Sequence, residues 1–95
     1  MVIALDYDGT YTLAPRTWDA IIDILNNDGH QVIVCTMRGG NEESAPVLRD
    51  LESKVHAVYF SDRVGKLAFL SSIGIHPDVW IDDRPDFILN NALPR

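Results

Sequence analysis

The chain has one cysteine, Cys35, so no internal disulfide can form, and no His/Cys group has zinc-ligand spacing. Long apolar runs are missing as well. Stretches such as Val32 to Cys35 are far short of the roughly 20 residues that a membrane-spanning helix needs. Positive charge is scarce: 8 Lys plus Arg face 14 Asp plus Glu, for a net charge of −6. That balance disfavours a general nucleic-acid coat or an anionic membrane surface as partner. No basic segment or cleavage signal opens the chain, and no linker, repeat or low-complexity tract divides it. The Gly-x-x-x-x-Gly-Lys-Ser/Thr loop of nucleotide-hydrolysing motors is absent. The expectation is a reduced, cytoplasmic, membrane-free domain covering all 95 residues.

What is present alternates between strand and helix patterns. Val2 to Leu5 is a short apolar run, broken by the turn-forming Asp6-Tyr7-Asp8-Gly9-Thr10. Trp18, Ile21, Ile22 and Leu25 share one helical face, with Thr17 as expected cap and Gly29 as stop. Gln31 to Cys35 predicts a buried strand ending at Thr36, followed by a Gly39-Gly40 loop. A second helix carries Val47, Leu48 and Leu51 inward, with Pro46 in its first turn. Ala57 to Phe60 predicts a third strand. Ser61 or Asp62 is the expected cap of a third helix ending near Gly74, and Val79 to Ile81 predicts a fourth strand. Strands alternating with helices imply an α/β fold, a three-layer doubly wound parallel sheet of about four strands.

Such sheets bind ligands beyond the carboxyl ends of their strands. The first strand delivers Asp6 and Asp8 there, the second Thr36, the fourth Asp82 and Asp83, and the third helix Lys66. Facing carboxylates repel unless a cation neutralises them, and an all-oxygen donor set suits a hard cation such as Mg²⁺. A Lys and a Thr hydroxyl beside that ion suit a phosphoryl group. Arg38 and Arg84 are candidates for clamping a substrate phosphate through two N–H groups. Lys54 and Arg63 compete with Lys66 as the cation of the site.

Val-Ile-Ala-Leu-Asp6-Tyr7-Asp8-Gly9-Thr10 resembles the first motif of haloacid-dehalogenase-superfamily phosphatases, an apolar run followed by Asp-x-Asp-Gly-Thr. Val32 to Thr36 is similar to their second motif, Lys66 to the third, and Val79-Trp80-Ile81-Asp82-Asp83 to the fourth. The four come in the family's order and cover nearly the whole chain. The resemblance implies a Mg²⁺-dependent phosphomonoesterase working through an aspartyl-phosphate at Asp6. Asp8 is then general acid and base, with its backbone carbonyl on the metal. Thr36 holds the transferring phosphoryl, and Lys66 pairs with Asp6. Gly9 and Thr10 lie at the substrate phosphate. Asp83 binds the metal directly, and Asp82 is a further ligand or a partner of one.

Two departures from that family stand out. Neither interval between motifs has room for the cap domain of larger members, so the domain is expected to be capless. A large substrate or a second copy of the chain would then cover the site. Only nine residues follow Asp86, too few for the helix and fifth strand usual in the family. Asp82-Asp83-Arg84 resembles the acid pair plus Arg of deoxynucleotidases and polynucleotide-end phosphatases. The substrate is therefore expected to be a small phosphorylated metabolite, a nucleotide or a nucleic-acid end. Two rival readings remain at this point: a receiver-like phosphoacceptor module, and an inactive phosphate-binding protein on the same scaffold. A calcium loop starting at Asp6 is excluded, because Tyr11 stands where that loop requires glycine.

Overall fold

The computed structural model describes residues 1–93. Four short strands form one parallel sheet: β1 (Val2–Leu5), β2 (Gln31–Thr36), β3 (Ala57–Phe60) and β4 (Val79–Ile81). Their spatial order is β3-β2-β1-β4. Ile3 of β1 lies opposite Val32 on one side and Val79 on the other. The chain therefore builds outward from β1 to β3, then crosses back to lay β4 on the opposite flank of β1. The carboxyl ends of β1 and β4 border the crevice created by that reversal, the place where open α/β sheets take ligands.

Four helices connect or follow the strands: α1 (Pro15–Asn27), α2 (Ala45–Leu51), α3 (Lys66–Ser72) and α4 (Asp86–Leu89). Side chains alternate across a strand, so successive residues of β1 and β2 feed opposite faces. Leu5, Val32 and Val34 pack with Ile22 of α1 and with Val47 and Leu51 of α2. Ala4, Ile33 and Cys35 face the other way, onto Leu70 of α3. Both faces of the central strands are thus covered, which explains why their sequences read as continuous apolar runs. Burying each Leu, Ile or Val of these layers contributes roughly 1.5–3 kcal/mol. No helix among the described residues is long and apolar enough to cross a membrane.

Three local expectations are corrected. Thr17 does not cap α1; the helix begins at Pro15 with Ala14 before it and no side-chain cap. A 3-10 turn over Tyr11–Leu13 leads into Pro15, whose fixed φ starts the helix three residues early. Neither Ser61 nor Asp62 caps α3, which starts at Lys66 after Gly65. Asp62 and Arg63 instead adopt left-handed backbone, with φ of 50° and 67°. The turn they form is tied to the loop after β2 by Asp62 N–H to Arg38 carbonyl and Arg63 N–H to Met37 carbonyl bonds. Finally, the short segment after Asp86 does make a helix, the single turn α4, which packs against α3. The Asn91 side chain there accepts from Gly65 N–H at 2.8 Å, fixing the start of α3.

The expected stops hold. Gly29 and Gly74 close α1 and α3 with φ of +82° and +79°, conformations that glycine adopts without a Cβ penalty. Pro46 lies in the first turn of α2, as its spacing predicts.

Candidate functional site

β1 ends at Leu5, so Asp6 emerges at the carboxyl edge with its N–H still bonded to the Ile81 carbonyl of β4 at 2.9 Å. Tyr7 turns its ring down into the α1/α2 layer, where it stacks on Tyr11 and donates its hydroxyl to Asp50 at 2.7 Å. With the middle residue anchored there, Asp6 and Asp8 both border a cleft at this edge, Asp6 buried and Asp8 half-exposed. Thr36 and Lys66 arrive from β2 and from the first turn of α3, both buried.

The Lys66 ammonium lies 2.8 Å from Asp6 Oδ1 and 2.6 Å from Asp82 Oδ2, and is only 2 % exposed. Its rivals are committed elsewhere: Lys54 pairs with Asp19 and Arg63 with Glu43. Asp82 Oδ1 accepts from the Arg84 N–H at 2.9 Å, so both of its oxygens are engaged. The Thr10 hydroxyl stands 3.2 Å from Asp6 Oδ2 and 3.3 Å from Asp83 Oδ1, and accepts from the Asp83 N–H. Thr10 is therefore a brace between two carboxylates rather than a group turned into the cleft. Gly9, with φ of +77°, passes directly over Asp83; a Cβ there would collide with that carboxylate. Left-handed backbone and close approach both demand glycine at this position.

Ligand oxygens of Asp6, Asp82 and Asp83 all lie within 4.8 Å of one another. Three carboxylates against the one Lys66 ammonium leave two negative charges in excess when all are ionised. Burial pushes the Asp6 carboxyl up to about 7; contact with Asp83 adds to this, and Lys66 opposes it without prevailing. Burial would lower the Lys66 ammonium, but Asp6 and Asp82 overcome it and hold the ammonium above its ordinary value. Among the described residues no cation lies at ion-pair distance from Asp83. An all-oxygen donor set with a deficit of two positive charges fits a hard divalent cation.

A cleft of about 340 Å³ opens over these groups. Asp6, Asp8, Gly9, Thr36, Lys66 and Arg84 are among the residues that line it. The Arg84 guanidinium rests 4.4 Å from the Phe87 ring centroid and pairs with Asp86. Met37 and Phe87 also line the cleft, and sequence reasoning passed over both. Met37 follows Thr36 directly, and Phe87 falls three residues after Arg84, one turn away on α4. Those spacings were the available signals.

The Asp8 carboxylate lies outside the group of three, and only its backbone carbonyl is expected at the metal. Thr10 and Arg38 stand differently from expectation. Arg38 is not part of the cleft wall, because its guanidinium holds Asp8 with Nε and Nη2 each at 2.8 Å. The cysteine beside Thr36 is inert packing: Cys35 is buried, and burial pushes its thiol up to about 12. Comparison with known protein families, with curated proteins and with solved structures finds no match for this chain.

Proposed function

We propose that this chain is a divalent-cation-dependent phosphomonoesterase of the haloacid dehalogenase type, acting through Asp6. The observation that carries the reading is the buried Asp6–Lys66–Asp82 chain beside Asp83, two positive charges short of neutrality, at the crevice between β1 and β4. Asp6 and Asp83 would hold the cation, with Asp82 kept in place by Lys66 and the Arg84 N–H. The cation, Mg²⁺ by its oxygen donors, supplies positive charge to the phosphoryl oxygens.

Lys66 orients the Asp6 carboxylate from one side while Thr10 fixes its second oxygen, leaving one direction of approach to phosphorus. As Asp6 attacks, the bond from phosphorus to the leaving oxygen breaks, and Asp8 donates a proton to that oxygen. Asp8 then takes a proton from water, which attacks the aspartyl-phosphate and releases Asp6 and inorganic phosphate. Thr36 and the Lys66 ammonium steady the phosphoryl oxygens through both steps.

The open cleft, lined in part by Arg84 and Phe87, supports a substrate with bulk beyond the phosphate, such as a nucleotide or a nucleic-acid end. A second copy of the chain is the other candidate cover, and gel filtration at working concentration separates the two. The receiver reading loses support from the strand order. β1 here is flanked by β2 and β4, whereas flavodoxin-like receivers flank it with β2 and β3.

The test is phosphate release from a panel of nucleotides, phosphorylated DNA ends and sugar phosphates, with and without Mg²⁺. Turnover should require the metal and disappear in Asp6→Asn. Asp8→Asn should retain a phosphorylated Asp6 detectable by mass. Absence of metal-dependent release from every substrate overturns the reading.

A further inference from the structure

Arg38 grips Asp8, a residue of the cleft wall, in a two-pronged ion pair. Nε of Arg38 donates to Asp8 Oδ2 and Nη2 to Oδ1, both at 2.8 Å. The guanidinium is not a loose surface group. Its Nη1 donates to the Glu43 carbonyl at 2.9 Å, and its plane lies over the Tyr7 ring at 5.2 Å. Its backbone N–H donates to the Thr36 hydroxyl at 3.3 Å, so Arg38 is coupled to the residue expected to hold the phosphoryl. Asp8 is half exposed and borders the cleft, whereas Arg38 stands outside it and is three-quarters buried. The exposed partner of the pair is therefore Asp8, and the anchored one is Arg38.

We propose that Arg38 is a latch on Asp8, and that the phosphate of the substrate opens it by competing for the same guanidinium fork. This rests on the phosphatase reading and adds to it a device that couples substrate arrival to release of Asp8. A guanidinium fork matches a carboxylate and a phosphate equally well in shape, and the phosphate carries more charge. While Arg38 holds both oxygens of Asp8, neither oxygen is free to exchange a proton with a substrate in the cleft. When phosphate takes the fork, Asp8 is freed to swing over the cleft. No bond other than these hydrogen bonds changes in the exchange. Arg38 thus acts as a positioning residue for Asp8 before it touches substrate.

The exchange has a thermodynamic signature that a merely structural Arg38 lacks. Any fraction of Arg38 held by Asp8 is unavailable to phosphate and weakens apparent affinity by that fraction. Titration calorimetry with inorganic phosphate, at saturating Mg²⁺, should therefore give a tighter Kd in Asp8→Asn, by roughly five- to tenfold. In the Arg38→Ala background, the same Asp8→Asn substitution should leave Kd unchanged. Asp8→Ala serves as a second probe of the same cycle, since it removes every acceptor on that side chain. An unchanged Kd in Asp8→Asn overturns the latch. So does a gain that persists in the Arg38→Ala background, because repulsion between Asp8 and phosphate then explains it. Failure of the wild type to bind phosphate at all overturns it too. Turnover is scored separately: hydrolysis without coupling leaves the phosphatase and removes the latch, and coupling without hydrolysis does the reverse.

Discussion

Asp6→Asn should make the metal-free protein more stable at pH 8 than the wild type, although it breaks an ion pair with Lys66. The Asp6 carboxyl is raised from 3.8 to about 7, chiefly by burial. For an acid raised on folding, the native state binds the proton more tightly than the unfolded chain. Its stabilising contribution is complete below pH 3.8 and is lost as pH climbs through about 7. Each pH unit of separation carries about 1.4 kcal/mol, so the wild type should lose roughly 2–3 kcal/mol between pH 5 and pH 8 from this group alone. The amide has no such titration, so its stability should be flat by comparison. Urea unfolding of both proteins in a chelator, from pH 4 to pH 9, measures the difference directly. Adding Mg²⁺ at pH 8 should then stabilise the wild type and reverse the ranking, since a ligand that binds only the folded state adds to its stability. Parallel pH curves for the two proteins would refute the view that the site carries an uncompensated charge. Equal stabilisation of both by Mg²⁺ would refute the assignment of Asp6 as a ligand.

Four further outcomes follow from single contacts. Gly9→Ala should cost about 1–3 kcal/mol from left-handed backbone and its clash with Asp83, and should abolish Mg²⁺-dependent stabilisation; thermal unfolding with and without metal checks both. Lys66→Met should destabilise by roughly 3 kcal/mol at pH 8, by leaving Asp6 and Asp82 without their ammonium. That cost should shrink at pH 5, where Asp6 can take up a proton, and a pH-independent cost would contradict it. Tyr7→Phe should cost about 1–2 kcal/mol at neutral pH, since the hydroxyl donates to a charged Asp50. Arg49 and Tyr7 hold Asp50 below its ordinary 3.8, so its contribution persists above that pH and fades on further acidification. Cys35 should resist alkylation by iodoacetamide in the native protein and react only after unfolding, as followed by mass spectrometry.

The strands and the two apolar layers were legible because burial on both faces writes itself as unbroken runs such as Val32 to Cys35. Lys66, too, could be named from its place at the start of the third helix, and its competitors Lys54 and Arg63 are eliminated only by their actual partners, Asp19 and Glu43. What could not be read was orientation. Thr10 and Arg38 were expected to face a phosphate, yet one braces Asp6 to Asp83 and the other grips Asp8. Both choices depend on side-chain directions fixed by residues some 30 to 70 positions away, which no local pattern encodes. The start of α3 failed for a related reason. Ser61 and Asp62 have the chemistry of caps, but the bonds to the Arg38 and Met37 carbonyls pull their segment into a left-handed turn.

The pairing of β1 with β4 has a consequence for the order in which this molecule becomes competent. Asp6 lies far upstream of Asp82 and Asp83 in the chain, and the three meet only when β4 docks beside β1. A growing chain can lay down β1, β2 and β3 with their helices while its acidic loop still lacks its partners. On the proposed reading, the cation site is assembled only once β4 is in place, and a chain stalled before residue 82 would lack two of its three carboxylates.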